Sequence, residues 1–330
     1  MLRKGGLIRE FTDLIQLADK ARLPVALPLE AGGLLVDAEI AWESYGRRNP
    51  GNAIVVLHDL CESHHALGEG FAEGWGKGLI GPDRALDPQS RWVVCLNLLG
   101  SPFGSTSASL MPLSAGSKSV LHLSLADIAR AATSAMRTLG ICKARSIVGL
   151  GLGGMVALKA VALFPDVASS VITLGAAHAL PPGLREGLGM ASQQVKAGAY
   201  RKARSDLLSW THRREHLLHW HDGEEGMQRW LSAEADEFCG RFDGRSWACL
   251  ATAYADADLR DQLARIRCKA LLVAGSHDDL APPALVRETY GALEAEGARF
   301  FELSEERGHA FLLTDVERMK PHLLDFLSSI

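Results

Sequence analysis

One stretch, Ser146-Ile147-Val148-Gly149-Leu150-Gly151-Leu152-Gly153-Gly154-Met155, constrains this chain more than any other. It predicts a short buried strand, a glycine-dense turn, and a helix running through Val156-Ala157-Leu158-Lys159-Ala160 to Pro165. Gly149 and Gly153 stand where glycines flank the centre of a G-x-S-x-G turn, the strand–turn–helix frame that lifts a nucleophile above a sheet. The centre of the frame here is Gly151. Such a centre sits in strained backbone, which glycine reaches cheaply because it has no Cβ. The same glycine offers no atom that could attack a carbonyl.

Gly149-x-Gly151-x-x-Gly154 also satisfies the dinucleotide pattern G-x-G-x-x-G between a strand and a helix. That pattern normally opens the first βαβ unit of its domain and is followed, roughly 20 residues on, by a ribose-binding acid. This copy comes after at least two strands. The nearest acid, Asp166, follows Pro165 in a turn. The remainder of the chain favours the elbow.

The 330 residues are 47% hydrophobic and 22% charged, enough for one well-buried domain or a domain with an insertion. A net charge of −4 gives no reason to expect nucleic acid or an anionic membrane as partner. No apolar run reaches the ~18 residues that span a bilayer. The first 24 residues are studded with charge and lack the apolar centre of a signal peptide. Leu7, Phe11, Leu14, Ile15 and Ala18 predict a surface helix there. Six scattered cysteines without C-x-x-C spacing suit a reduced, cytoplasmic setting.

The chain alternates strand and helix patterns. Val36–Tyr45 reads as a strand of an antiparallel start. Ala53–His58, Trp92–Asn97, Ser170–Gly175, Ala270–Gly275 and Arg299–Leu303 read as further strands, mostly continuous apolar runs. Ser124–Leu139 and Asp315–Ile330 read as helices. This order predicts an α/β fold with a mostly parallel sheet and ligands at the carboxyl ends of its strands. Residues 181–259 differ: they are helical in period and hold no strand run. Trp210, Leu217, Leu218, Trp230, Phe238, Phe242 and Trp247 supply apolar stripes there. The expectation is a core of residues 1–180 and 260–330 with a helical lid, 181–259, inserted over the strand ends.

Two loops carry candidate chemistry. Asp278 lies three residues past Gly275 and four before Pro282, the usual station of a triad carboxylate, with Asp279 as the alternative. His309 follows Gly308 after the last strand, the station of the triad base. The order elbow, Asp, His is that of α/β-hydrolases. The loop after the strand ending at His58 should complete an oxyanion hole, with the amides of Leu60 and Leu152 aimed at one spot. Cys61, beside it, is a possible substitute nucleophile if its thiol is activated, although it sits on a different loop.

With these residues in place, the chain resembles the homoserine O-acetyltransferases of the α/β-hydrolase superfamily. Their Y-E-x-Y-G is similar to Trp42-Glu43-Ser44-Tyr45-Gly46, and their H-A-L-x-G-S-x-H to His58-Asp59-Leu60-Cys61-Glu62-Ser63-His64-His65. Their G-W-W-x-x-x-I-G-P-G-K-x-I-D resembles the stretch from Gly74-Trp75 to Leu86-Asp87. Their N-x-L-G and G-S-T resemble Asn97-Leu98-Leu99-Gly100 and Gly104-Ser105-Thr106, and their R-F-D-x-x-S-Y resembles Arg241-Phe242-Asp243-Gly244-Arg245-Ser246-Trp247. Their G-H-D-A-F-L is close to Gly308-His309-Ala310-Phe311-Leu312.

The resemblance implies an α/β-hydrolase fold with a helical lid and acyl transfer to a small hydroxy amino acid. It implies no cofactor, acyl-CoA as a possible co-substrate, and a homodimer built through the lid. It gives Leu60 and Leu152 as oxyanion hole and Asp278 and His309 as acid and base. It also offers Cys61, His64, Arg241 and Asp279 as substrate contacts. The departures are as specific. Gly151 stands for the serine, Ser107-Ala108 end the family's G-S-T-G-P, and Ser192 stands where the family's R-Q-A-I lid arginine grips a carboxylate.

Several readings of the chemistry remain. His309 and Asp278 could deprotonate an acceptor hydroxyl directly, with no covalent intermediate. The same pair could run an elimination, cyclisation or proton transfer. The chain could bind a ligand or partner without catalysis, or it could be an acyltransferase from which the serine was removed by design.

Overall fold

A computed structural model of the protein describes residues 16–68, 74–109 and 122–330. Strands β1 (Gln16–Arg22), β4 (Glu39–Tyr45), β5 (Ala53–Leu57), β6 (Trp92–Leu96), β7 (Ser146–Leu150), β8 (Ser170–Leu174), β9 (Lys269–Gly275) and β10 (Arg299–Leu303) form one sheet. Two short strands, β2 (Leu27–Pro28) and β3 (Leu34–Leu35), make a separate ribbon. The sheet order is β1-β4-β6-β5-β7-β8-β9-β10. β4 is antiparallel to both of its neighbours, and every other pairing is parallel.

The four central strands β6, β5, β7 and β8 are buried at every position. That is why they read as unbroken apolar runs: side chains alternate between two covered faces. Val55 and Leu57 enter one apolar cluster, whereas Ile54 and Val56 enter the other.

Helix α1 (Leu125–Thr138) starts at a capping box: Ser124 Oγ accepts the Asp127 amide at 3.1 Å and Asp127 Oδ2 accepts the Ser124 amide at 3.0 Å. Helix α2 (Leu152–Leu163) follows the glycine turn and is buried on nearly every side. Between β8 and β9 come α3 (Pro182–Lys196), α4 (Tyr200–Thr211), α5 (Arg214–Trp220), α6 (Glu224–Arg241) and α7 (Gly244–Ala255). The last helices are α8 (Pro283–Gly291), α9 (Phe311–Thr314) and α10 (Val316–Ser328). The expected apolar stripes of residues 181–259 divide. Phe238, Phe242 and Trp247 join the main core, with Trp210 packed against it, while Leu217 joins Leu208, Met227 and Leu231 in a small cluster flanked by Leu218 and Trp230.

The predicted N-terminal helix is corrected where it can be compared. Ala18 lies in β1, an exposed edge strand paired with β4. Leu7, Phe11, Leu14 and Ile15 lie outside the described residues. An amphipathic spacing over a short run also fits an edge strand, and here backbone pairing with β4 decides.

Candidate active site

β7 ends at Leu150 and α2 begins at Leu152, so Gly151 is the whole turn. Its φ of 49° and ψ of −116° are the positive-φ geometry expected of an elbow centre. The next glycines, Gly153 and Gly154, are required by close approach. A Cβ at Gly153 would meet the Leu57 carbonyl oxygen at 2.2 Å, and one at Gly154 would meet the Ala176 Cβ at 2.5 Å. Strand β5, α2 and the end of β8 therefore converge without side chains between them.

The space above Gly151 is filled by Asp59. A Cβ at residue 151 would lie 2.0 Å from Asp59 Oδ1 and 2.4 Å from its Cγ. Oδ1 accepts the Leu152 amide at 2.8 Å, so the carboxylate rests on the first helical N–H of α2. His58 fixes the loop: Nδ1 contacts the Asp59 carbonyl at 2.7 Å and Nε2 accepts the Leu98 amide at 3.1 Å. Burial pushes the His58 ring down to about 4, so it holds this place as a neutral ring.

His309 approaches from the other side. Asp278 Oδ1 accepts the amides of Leu280 and Ala281, at 2.9 and 3.1 Å, which leaves Oδ2 to meet His309 Nδ1 at 2.7 Å. Glu305, buried, accepts the Gly308 amide at 2.8 Å and the His277 amide at 2.7 Å, which ties the loop carrying His309 to the loop carrying Asp278. His309 Nε2 is buried and has no hydrogen-bond partner among the described residues. It stands 3.6 Å from Asp59 Oδ2, an ion-pair distance longer than a hydrogen bond.

The electrostatics follow from this sandwich. Burial opposes charge on His309, but Asp278 and then Asp59 outweigh it and hold the imidazole up to about 10. Burial opposes charge on Asp59 as well. His309 and the amides of Leu152 and Leu60 overcome that opposition and hold its carboxyl below the usual range. Both shifts favour a protonated His309 ring facing an ionised Asp59, with Asp278 bonded to its other nitrogen.

A cavity opens onto this group. Asp59, Cys61, Glu62, Arg204, Tyr254 and His309 are among its walls, with Leu207, Leu208, Leu280 and Leu312 making it largely apolar. The Cys61 thiol is pushed by burial up to about 11, and the Arg204 guanidinium lies 3.2 Å from its sulfur. Arg204, on α4, also stacks 4.3 Å over the Phe238 ring, and its Nε has no partner among the described residues.

Of the other sequence candidates, Asp279, Arg241 and His64 fall outside the cavity walls. Asp279 is exposed, so the pairing with His309 belongs to Asp278. Arg241 is exposed at the end of α6. His64 is buried, and burial lowers it to about 3. Leu60 lines the cavity beside Asp59, and its amide helps hold that carboxylate ionised. No cluster of three metal-ligating side chains occurs among the described residues, and no helix there is long and apolar enough to cross a membrane.

The family profile for the alpha/beta hydrolase fold matches residues 52–316. A serine O-succinyltransferase of Stenotrophomonas maltophilia is 32% identical, with 93% of this chain and 96% of the relative covered. An L-serine/homoserine O-acetyltransferase of Streptomyces lavendulae is 29% identical over the same shares. The chain belongs to the homoserine/serine O-acyltransferase family of α/β hydrolases. A homoserine O-acetyltransferase from Bacillus anthracis shares the fold with a TM-score of 0.83 at 18% identity, over 95% of this chain and 98% of that one. Acyltransferases of this fold use no cofactor, and an acyl-CoA co-substrate is compatible with that.

Several stretches that carry the family resemblance in the sequence serve the scaffold. Asp243 caps α7 by accepting the Ser246 amide at 3.0 Å. Ser105 accepts the Ala41 amide at 3.0 Å and Thr106 accepts the Glu39 amide at 2.8 Å, which ties the loop after β6 to β4. Ser192 lies between α3 and α7, bonded to the Ala248 carbonyl and to Thr252, and does not line the cavity. Sequence reasoning missed Asp59, Arg204 and Glu305. For Asp59 the signal was present, because it stands where the acyltransferase pattern H-A-L-x-G-S-x-H has alanine.

Proposed function

We propose that the protein transfers an acyl group from an acyl-CoA to the hydroxyl of a small amino-acid-like acceptor, with no hydroxyl nucleophile at residue 151. The relatives' activities support the reaction class. The observation that carries the reading to this site is the buried Asp278–His309 pair, whose Nε2 has no hydrogen-bond partner among the described residues and stands 3.6 Å from Asp59 at the cavity. His309 handles the proton, and Asp278 fixes its ring and stabilises the imidazolium. The amides of Leu60 and Leu152 form the anion cradle. Arg204 is the cation available for a carboxylate on the acceptor or on a dicarboxylic acyl group. Residues 181–259 act as a lid, since α4 supplies one wall of the cavity, and a homodimer through that region fits the same reading.

Direct transfer with His309 as the starting base meets two obstacles. Its ring begins charged, and the cradle already holds Asp59 Oδ1. The same charge weakens the general-base alternatives, elimination and cyclisation. A second reading, ligand binding without catalysis, is favoured by the filled cradle. Deliberate serine removal accounts poorly for the fit of Asp59 over Gly151, since one substitution at 151 does not supply the aspartate.

The test is to incubate the protein with acetyl-CoA or succinyl-CoA and L-serine or L-homoserine, then weigh the products, with His309→Gln as control. O-acylated amino acid made by the native protein and lost in the variant supports the proposal. Retention of these ligands with no acyl transfer for any pair favours the binding reading.

A further inference from the structure

We infer that Asp59 is the covalent acyl carrier of this site, passing the acyl group through a mixed anhydride. The inference rests on the acyl transfer proposed above and adds the residue that replaces the missing hydroxyl.

A carrier must be nucleophilic, oriented, open to the cavity and beside a proton donor. Asp59 meets each requirement. The Leu152 amide holds Oδ1 at 2.8 Å, so Oδ2 is the oxygen left to face His309 Nε2 at 3.6 Å. Oδ2 is ionised without further activation, because the imidazolium and the amides stabilise the charge. A substrate atom joined to Oδ2 comes within reach of an Nε2 that has no other partner among the described residues.

The other cavity side chains fit the role less well. The Cys61 thiol keeps its proton through burial and has Arg204 against its sulfur. Thr211 Oγ1 donates to the Leu208 carbonyl at 3.1 Å. Glu62 lines the cavity but burial pushes its carboxyl up to about 7, and it makes no ion pair with His309 among the described residues.

The chemistry balances in two steps. In the first, Asp59 Oδ2 attacks the thioester carbonyl of the acyl-CoA and the carbon–sulfur bond breaks. The departing thiolate takes the Nε2 proton of His309, leaving an acyl-aspartyl anhydride, a neutral imidazole and free CoA thiol. In the second, His309 removes the proton of the acceptor hydroxyl, whose oxygen attacks the acyl carbonyl. The bond to Oδ2 breaks, the ester leaves, and the carboxylate–imidazolium pair is restored.

Acylation itself tunes the base. While Asp59 is ionised, two carboxylates hold the His309 proton; once it is acylated, only Asp278 does, so the ring gives up the proton when the acceptor needs a base. The acid of the first step becomes the base of the second.

The experiment is isotope exchange on the native protein: labelled free CoA is incubated with unlabelled acyl-CoA and no acceptor. A covalent carrier predicts label in acyl-CoA. It also predicts that hydroxylamine yields a hydroxamate on the peptide containing residue 59. Asp59→Asn keeps an oxygen for the Leu152 amide and should fold, yet exchange and turnover should fall at least about 100-fold. Acyl transfer to the acceptor without exchange, or with exchange kept in Asp59→Asn, overturns the carrier and leaves the proposed function standing. Absence of both transfer and exchange in the native protein overturns both. The exchange assay needs no variant, so it decides even if Asp59→Asn is unstable.

Discussion

Asp59 and Gly151 occupy complementary halves of one space: the carboxylate lies where the side chain of residue 151 would project, with Oδ1 2.0 Å from that missing Cβ. A side chain at 151 and an acid at 59 exclude each other in this arrangement. On the reading proposed above, an oxygen of residue 59 serves where a side chain at residue 151 would have stood.

The exclusion is measurable. Gly151→Ser alone forces a contact no real Cβ makes and places a non-glycine residue at φ 49°, so it should destabilise the fold by about 1–3 kcal/mol and give no serine chemistry. Asp59→Ala with Gly151→Ser removes the clash and should carry an acyl group on residue 151. A double-mutant cycle by urea unfolding should show strong coupling, with the second change rescuing the first. Additive effects would mean the two residues do not compete for that space.

The ion triad predicts a pH profile. His309 is raised from about 6.5 to about 10, so its contribution to stability is fully present below about pH 6.5 and is lost as pH rises through about 10. Asp59 is depressed, so its contribution is present above its unfolded value near pH 4 and is lost as pH falls through the lower folded one. Nitrogen NMR should show His309 as imidazolium at pH 8, and Asp59→Asn should move its titration downward. Turnover should lack an inflection near 6.5 and decline toward 10. A neutral ring at pH 8 would contradict the sandwich.

Arg204 lines the cavity and makes no ion pair among the described residues, with its guanidinium against Cys61 and the Phe238 ring. Arg204→Lys should raise KM for a carboxylate-bearing ligand about 10- to 100-fold, with kcat less affected, because a point charge cannot reproduce a bidentate contact. The effect should vanish with an acceptor or acyl group that lacks the carboxylate. An equal effect on ligands of both kinds would assign Arg204 to packing against Phe238.

Glu305 acts by position. Glu305→Gln should weaken the amide contacts that join the His277 and Gly308 loops, lowering kcat about 10-fold and leaving KM nearly unchanged. Its readout is the midpoint of His309: a loosened Nδ1–Asp278 contact should lower it. A lower melting temperature with no change in that midpoint would mark Glu305 as structural only.

The sheet was legible because strands covered on both faces must be apolar throughout, and β5, β6, β7 and β8 are. Asp278 and His309 were legible because each follows a strand at a fixed spacing from glycine or proline. Asp59 was marked only by its departure from the family-like pattern, and its role was not legible, for a physical reason. Its role is created by a loop 93 residues away in sequence from the Leu152 amide that holds it, and nothing local separates it from a capping aspartate. Arg204 was hidden likewise, since an arginine on a helix reads as surface until the facing wall is known. At the N-terminus, Ala18 belongs to an edge strand whose partner, not its own periodicity, decides its conformation.

The most direct check compares acyl transfer by the native protein and by Asp59→Ala, under saturating acetyl- or succinyl-CoA with L-serine or L-homoserine. Asp59→Ala empties the cradle and leaves Asp278 and His309 in place. The carboxylate-carrier account predicts product from the native protein and a loss of at least about 100-fold in the variant. Transfer by Asp59→Ala at the native rate or faster would show that the carboxylate obstructs the site, and would contradict the account.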